Sequence, residues 1–104
     1  NNLPIVITEM HDFDKTIEAA LRFADKDGET LVIITADHET GGLTLLDADE
    51  STGKVIGHFS TDDHTNIMVP VFAYGPQSEQ FKGVHQNNEI FKKILTVLAL
   101  KKAQ

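Results

Sequence analysis

Apolar residues recur along the first quarter of the chain at spacings of three and four, at Met10, Phe13, Ile17, Leu21 and Ala24. That is the period of one helix face, and it predicts an amphipathic helix over 3–26. Asn2 stands where an N-cap is wanted, Pro4 falls in the first turn where its missing N–H costs nothing, and Gly28 supplies the stop. The pattern then changes. Leu31, Val32, Ile33 and Ile34 follow one another with no polar alternation, as expected of a buried strand covered on both faces of an α/β sheet. Residues 36–42 are polar apart from Ala36 and carry two glycines, which suits a tight loop. A second strand is expected over 43–46, a turn over 47–53, and a third strand over 54–59 that completes a surface hairpin. After a polar loop at 60–66, a further strand is expected over 68–74, with Pro70 confining it to a sheet edge or to the strand's start. Residues 88–101 read as a closing helix with Ile90, Phe91, Ile94, Leu95 and Leu98 as its buried stripe. There is no repeat and no low-complexity segment. The alternation of helix, strand and loop predicts a single α/β unit spanning 1–104.

Composition narrows the class. The chain has 104 residues, 40% of them apolar, enough for one small globular unit. A chain of this size buries only roughly 60–65% of the surface its unfolded form exposes, so neighbouring structure is expected to support it. The formal charge is −7, and Arg22 is the sole arginine. With no basic stripe, nucleic-acid binding by counterion release is excluded. An acidic surface does not attract an anionic substrate either; were the substrate a phosphate ester, metal cations or residues outside this chain would have to supply positive charge. The absence of cysteine removes disulfides and thiolate metal sites. No apolar run approaches the roughly 18 residues of a membrane span. Asn1-Asn2-Leu3-Pro4 does not resemble a signal peptide, and a start without Met suits a fragment or a processed product.

Two places carry candidate chemistry. Asp37-His38 follows the apolar strand directly, and ligands of open α/β sheets collect beyond strand ends. A carboxylate and an imidazole suit zinc, although the same pair would also serve as a solvated strand end with Asp37 capping loop amides. His64 lies beside Asp62-Asp63, whose carboxylates suit the second ring nitrogen of a metal-bound histidine; the alternative is a surface histidine next to acids. His11, His58 and His85 stand in less promising surroundings. No phosphate-binding glycine loop and no nucleophile elbow are present.

Thr35-Ala36-Asp37-His38-Glu39-Thr40-Gly41-Gly42-Leu43 resembles the zinc-binding strand-end motif of alkaline phosphatases. Glu9-Met10, Asp12-Phe13-Asp14, Ala19-Ala20-Leu21 and Phe23-Ala24 resemble the family's approach to that motif. Asp63-His64-Thr65, Val69-Pro70-Val71, Ala73-Tyr74-Gly75-Pro76 and Phe81-Lys82-Gly83 resemble its later segments, so the likeness covers nearly the whole chain. It implies a carboxy-terminal portion of a phosphate-monoester hydrolase with a partial sheet of that fold. By the resemblance, Asp37 and His38 bind one active-site zinc and His64 the other, the two metals standing about 4 Å apart to clamp the attacking and leaving oxygens. The family's serine or threonine nucleophile, phosphate-clamping arginine, magnesium site and remaining zinc ligands have no counterpart here and are expected upstream. The chain alone is therefore expected to be inactive, to bind zinc weakly and to self-associate through exposed apolar surface. The parent is expected to be a periplasmic or secreted homodimer acting on phosphate monoesters. A sulfatase or phosphodiesterase of the wider superfamily, and a metal-binding or interaction module without chemistry, are the alternatives.

Overall fold

The computed structural model describes residues 1–99, which form α1 (Leu3–Asp27), β1 (Val32–Ile34), β2 (Thr44–Asp49), β3 (Lys54–His58), β4 (Phe72–Tyr74), a 3-10 turn at Ser78–Phe81 and α2 (Glu89–Val97). The α/β class holds, expressed as helices with two small antiparallel sheets, β1–β4 and β2–β3. Contacts group the chain into two compact units, one of Asn1–Asp14 with Ala36–Pro70, the other of Lys15–Thr35 with the described residues from Val71 on. The boundary falls within α1. Among the described residues no helix is long and apolar enough to cross a membrane.

α1 starts and stops where its end residues direct. The Asn2 side-chain oxygen accepts the Ile5 amide at 3.2 Å, and the Gly28 amide closes the last turn on the Ala24 carbonyl at 2.8 Å. The apolar stripe is only partly covered. Ile17 and Leu21 are half-buried and Ala24 is buried, whereas Met10 is 58% exposed and Phe13 stands out as well. The 3.6-residue period thus identified the helix but not which turns of it meet a partner. Arg22 pairs with Glu18 one turn back on an exposed face, an arrangement worth little to stability.

In the first unit, β2 and β3 make a hairpin in register Thr44↔His58 to Asp49↔Lys54, with an irregularity between Leu45 and Asp47 that leaves Leu46 as the extra residue of a bulge. β2 runs to Asp49, three residues past the expected end. Val55 and Gly57 of β3 are half-buried, but every β2 residue is exposed, so Asp47 and Asp49 are as acceptable in it as the leucines. The turn is held by the Asp49 carboxylate, which accepts the Ser51 amide at 2.9 Å and the Ser51 hydroxyl at 2.6 Å. These bonds, joined by those from Thr52, keep its carboxyl below the ordinary carboxylate value. Leu3 and Leu43 converge on Gly57, each within 3.1 Å of where a Cβ there would sit, which seats the start of α1 on the hairpin.

The second unit pairs β1 with β4 as Val32↔Tyr74, Ile33↔Ala73 and Ile34↔Phe72. The expected strand 68–74 contracts to its last three residues because Pro70 has no N–H to donate to a ladder. β1 was expected to be buried on both faces; its three residues are half-buried instead, since the sheet has one partner strand and too little above it. Phe81 is the buried side chain here besides Ala24. Lys93 donates to the Gln80 carbonyl at 2.7 Å and Gln77 to the Val97 carbonyl at 3.3 Å, tying α2 to the 3-10 turn. Of the closing stripe, Ile90 and Leu95 are half-buried while Phe91 is 63% exposed and Leu98 is exposed too. α2 ends at Val97, and the expected extension over 100–101 lies outside the described residues. An apolar hollow of about 360 Å³ between Leu31, Ile33, Ile94 and Leu98 has Glu29 as its one ionisable neighbour among the described residues.

Tyr74 donates its hydroxyl to the Asp25 carboxylate of α1. That bond, the repulsion between Asp25 and a phenolate, and desolvation together raise its pKa above 10.0. A raised folded-state pKa means that the contact stabilises below the unfolded value and is lost as pH climbs through the folded one. Because the chain has one tyrosine and no tryptophan, ultraviolet titration of the phenolate reads Tyr74 alone. The midpoint is expected above 10.0 and should fall back toward it in Asp25→Asn; an unmoved midpoint would refute the contact.

Candidate metal centre

All three candidate ligands, Asp37, His38 and His64, lie in the first unit, on two loops without regular structure. Such loops have amides that no ladder satisfies, and side-chain oxygens take them up. Asp37 Oδ1 accepts the amide of His38 at 3.0 Å, and Asp63 Oδ1 accepts that of His64 at 2.8 Å. The same Asp-His device therefore occurs in both loops.

The His38 ring is fixed from behind. Its Nδ1 lies 2.7 Å from the Glu39 carbonyl oxygen. A carbonyl only accepts, so Nδ1 carries the proton and the neutral ring leaves its lone pair on Nε2. That nitrogen faces Asp37 Oδ2 at 3.5 Å. Two acceptors held at this distance repel unless a cation or a proton lies between them. Ligands bonded to zinc at about 2.0–2.1 Å and set at a tetrahedral angle stand roughly 3.3 Å apart, so the pair fits two corners of one zinc site. Against it lies His64, whose ring centroid is 3.5 Å from that of His38 with a tilt of 31°. His64 Nε2 is 4.0 Å from Asp63 Oδ1. Asp37, His38 and His64 are exposed. Among the described residues no three His, Asp or Glu side chains form a closed metal site.

Glu39 was not singled out from the sequence, yet it joins the two loops. One carboxylate oxygen accepts the Gly42 amide of its own loop and the other accepts the Thr65 amide, 26 residues on. Desolvation alone would raise its pKa, but the Thr65 and Gly42 bonds and the charge of His64 outweigh that and hold it below the ordinary value of 4.5. Its signal in the sequence is its position, an acid three residues ahead of Gly42, whose amide needs an acceptor.

Gly41 makes the second tie. Its carbonyl accepts the Ser60 and Thr61 amides at 2.9 and 3.2 Å, and its φ of +58° places it in the left-handed region. A Cβ there would come within 2.8 Å of the Thr61 carbonyl oxygen and of the Asn1 side chain that donates to that oxygen. His11 and His58 are exposed, and His85 is half-buried with Nε2 enclosed and without a hydrogen-bond partner among the described residues.

The alkaline phosphatase family model matches residues 1–57 and 46–100, which together span nearly the whole chain. The chain belongs to the alkaline phosphatase family. Among its relatives, alkaline phosphatase H of Pseudomonas aeruginosa is 35% identical over 91% of this chain and 23% of its own length. Streptomycin-6-phosphate phosphatase of Streptomyces griseus is 33% identical over 86% of this chain and 24% of its own. The solved alkaline phosphatase of the Antarctic bacterium TAB5 superposes with a TM-score of 0.87 and 48% identity over 98% of this chain and 31% of its own. A variant of that TAB5 enzyme is described with magnesium in its M3 site. The chain thus spans about a quarter of the length of these two relatives and about a third of the solved one.

The double role of Gly41 makes a sharp test of the alkaline phosphatase loop. Forcing a side chain into the left-handed region costs about 1–3 kcal/mol, and at Gly41 the overlap with the Thr61 carbonyl adds to it. Gly41→Ala is expected to lower the urea midpoint of the protein at its natural length more than Gly53→Ala, whose added Cβ meets nothing within 4 Å. Equal midpoints would show that the 60–65 loop does not press on Gly41.

Proposed function

We propose that the chain is the carboxy-terminal part of the catalytic domain of a phosphate-monoester hydrolase, one piece over 1–104, whose Asp37 and His38 hold one zinc and whose His64 holds a second. The observation that carries this reading is the facing pair of acceptors, Asp37 Oδ2 and His38 Nε2 at 3.5 Å, with the His38 tautomer fixed through Nδ1. The adjacent His64 ring supports a neighbouring metal rather than a third ligand to the same one, since two-metal sites space their ions by about 3.5–4 Å.

A bound zinc pair supplies the positive charge that stabilises the attacking and leaving oxygens of a phosphoryl transfer. The chain's own residues do the holding. Asp37 contributes an anionic oxygen, the Glu39 carbonyl keeps the proton of His38 on Nδ1, and Asp63 fixes the backbone from which His64 projects. Such metals answer the charge problem of a chain with formal charge −7, which on its own repels a phosphate ester. On this reading the nucleophile, the other zinc ligands and a magnesium site belong to sequence outside these 104 residues. The whole protein works outside the cytoplasm, in the periplasm or secreted, as a homodimer.

Zinc content and hydrolysis of 4-nitrophenyl phosphate test the proposal in the protein at its natural length. Loss of residues that merely support metal ligands costs about 10–100-fold, so His38→Ala, Asp37→Asn and His64→Ala are each expected to lower kcat/KM by more than about 100-fold and to shed zinc. The 104-residue chain by itself, short of the three or four ligands a zinc site needs, should bind zinc weakly and hydrolyse nothing. Full zinc content and activity in the three variants would overturn the assignment.

A further inference from the structure

Two loops without regular structure cannot hold histidine rings 3.5 Å apart unless something ties them together. Backbone ties run from Ser60 and Thr61 to the Gly41 carbonyl, but both lie on the near side of His64, and residues 62–64, whose bonds at Asp63 and His64 are local, separate Thr61 from Thr65. On the far side the tie is the Glu39 carboxylate, with one oxygen on the Gly42 amide and the other on the Thr65 amide next to His64. We infer that Glu39 is a positioning residue, whose carboxylate clamps the His64 loop to the Asp37-His38 loop and thereby sets the spacing of the two metal-binding groups. The inference rests on the metal reading proposed above, because the groups it positions are those ligands.

The chemistry suits a clamp and not a ligand. Glu39 is half-buried where Asp37, His38, Asp63 and His64 are exposed. A carboxylate is acceptor-only and can serve an amide at each oxygen, and such charge-assisted bonds are about twice as strong as neutral ones. Glutamine at this position keeps one acceptor oxygen but turns an NH2 group, itself a donor, toward the other amide. Aspartate is one methylene shorter and cannot span both.

The test uses the protein at its natural length, with zinc as the probe and Glu39→Gln, Glu39→Asp and His38→Ala as variants. Amide exchange at Thr65 or Gly42 is expected to rise about tenfold or more in both Glu39 variants, while the protected amides of the β2–β3 ladder keep their protection. Against a chelator, one of two zinc equivalents should leave about 10–100-fold faster than in the parent. The loss is selective because Asp37 and His38 share a loop with Glu39 and only His64 is freed. A variant that releases both zincs at the same faster rate, or loses protection in the ladder as well, shows a general loosening and overturns the clamp. So does unchanged exchange and zinc release in the Glu39 variants. If His38→Ala strips zinc while they do not, the clamp alone fails; if His38→Ala also retains all its zinc, the metal reading falls with it.

Discussion

A loop amide with no partner strand must find an acceptor or pay its desolvation, and this requirement governs the 36–65 region. Three carboxylates meet part of it. Asp37 and Asp63 each accept the amide of the following histidine, while Glu39 accepts one amide from either loop. Without the Glu39 carboxylate, the ties shown between the loops are those to the Gly41 carbonyl, from the Ser60 and Thr61 amides and the Ser60 hydroxyl. The acids that make the chain's formal charge −7 are thus partly structural, placed where backbone N–H groups would otherwise point at nothing. The same placement leaves Asp37 Oδ2 and His38 Nε2 facing each other as two acceptors at 3.5 Å, an arrangement that a cation relieves. On the two-zinc reading, the forces that fold the loop and those that prepare it for metal are one set.

The helices were legible because their signals are local. Asn2 and Gly28 bound α1 through bonds to residues three and four away, and a cap needs no knowledge of the rest of the molecule. Strand extents were less legible. The 43–46 run suggested that β2 would end with its leucines, yet every residue of β2 stays exposed, so Asp47 and Asp49 continue it without penalty. Burial was the least legible property. Leu45 and Leu46 in that ribbon, Met68 at 76% exposed and Val84 at 85% are apolar residues whose cover is not supplied by the described chain, and periodicity says which side chains want cover, never what provides it.

The site divides along the same line. Asp37, His38 and His64 could be named as candidate ligands because residue type and motif are read from the sequence alone. Glu39 was not, although it sits in the same motif, because its role lies in a bond to Thr65, 26 residues away, and no spacing rule reports a pairing across two irregular loops. A carboxylate between a histidine and two glycines has a reason only once the positions of the free amides are known. Gly41 belongs with it: its left-handed backbone was foreseeable in a tight loop, but its carbonyl as the acceptor of two amides from 60–61 was not.

The two Asp-His devices invite comparison because they share a local form and differ in what surrounds them. In the first, the Glu39 carbonyl settles the His38 tautomer and brings Nε2 to 3.5 Å from its aspartate; in the second, Nε2 of His64 stands 4.0 Å away. A gap of 4.0 Å is too wide for two donors on one tetrahedral zinc, whose corners lie roughly 3.3 Å apart. Asp63 therefore works through the backbone, fixing where His64 starts, while Asp37 keeps a free oxygen directed at the ring beside it. Identical dipeptides acquire different duties from their neighbours. The difference agrees with the proposed division of labour, in which the first loop brings a pair of ligands to one metal and the second brings a single imidazole to the next.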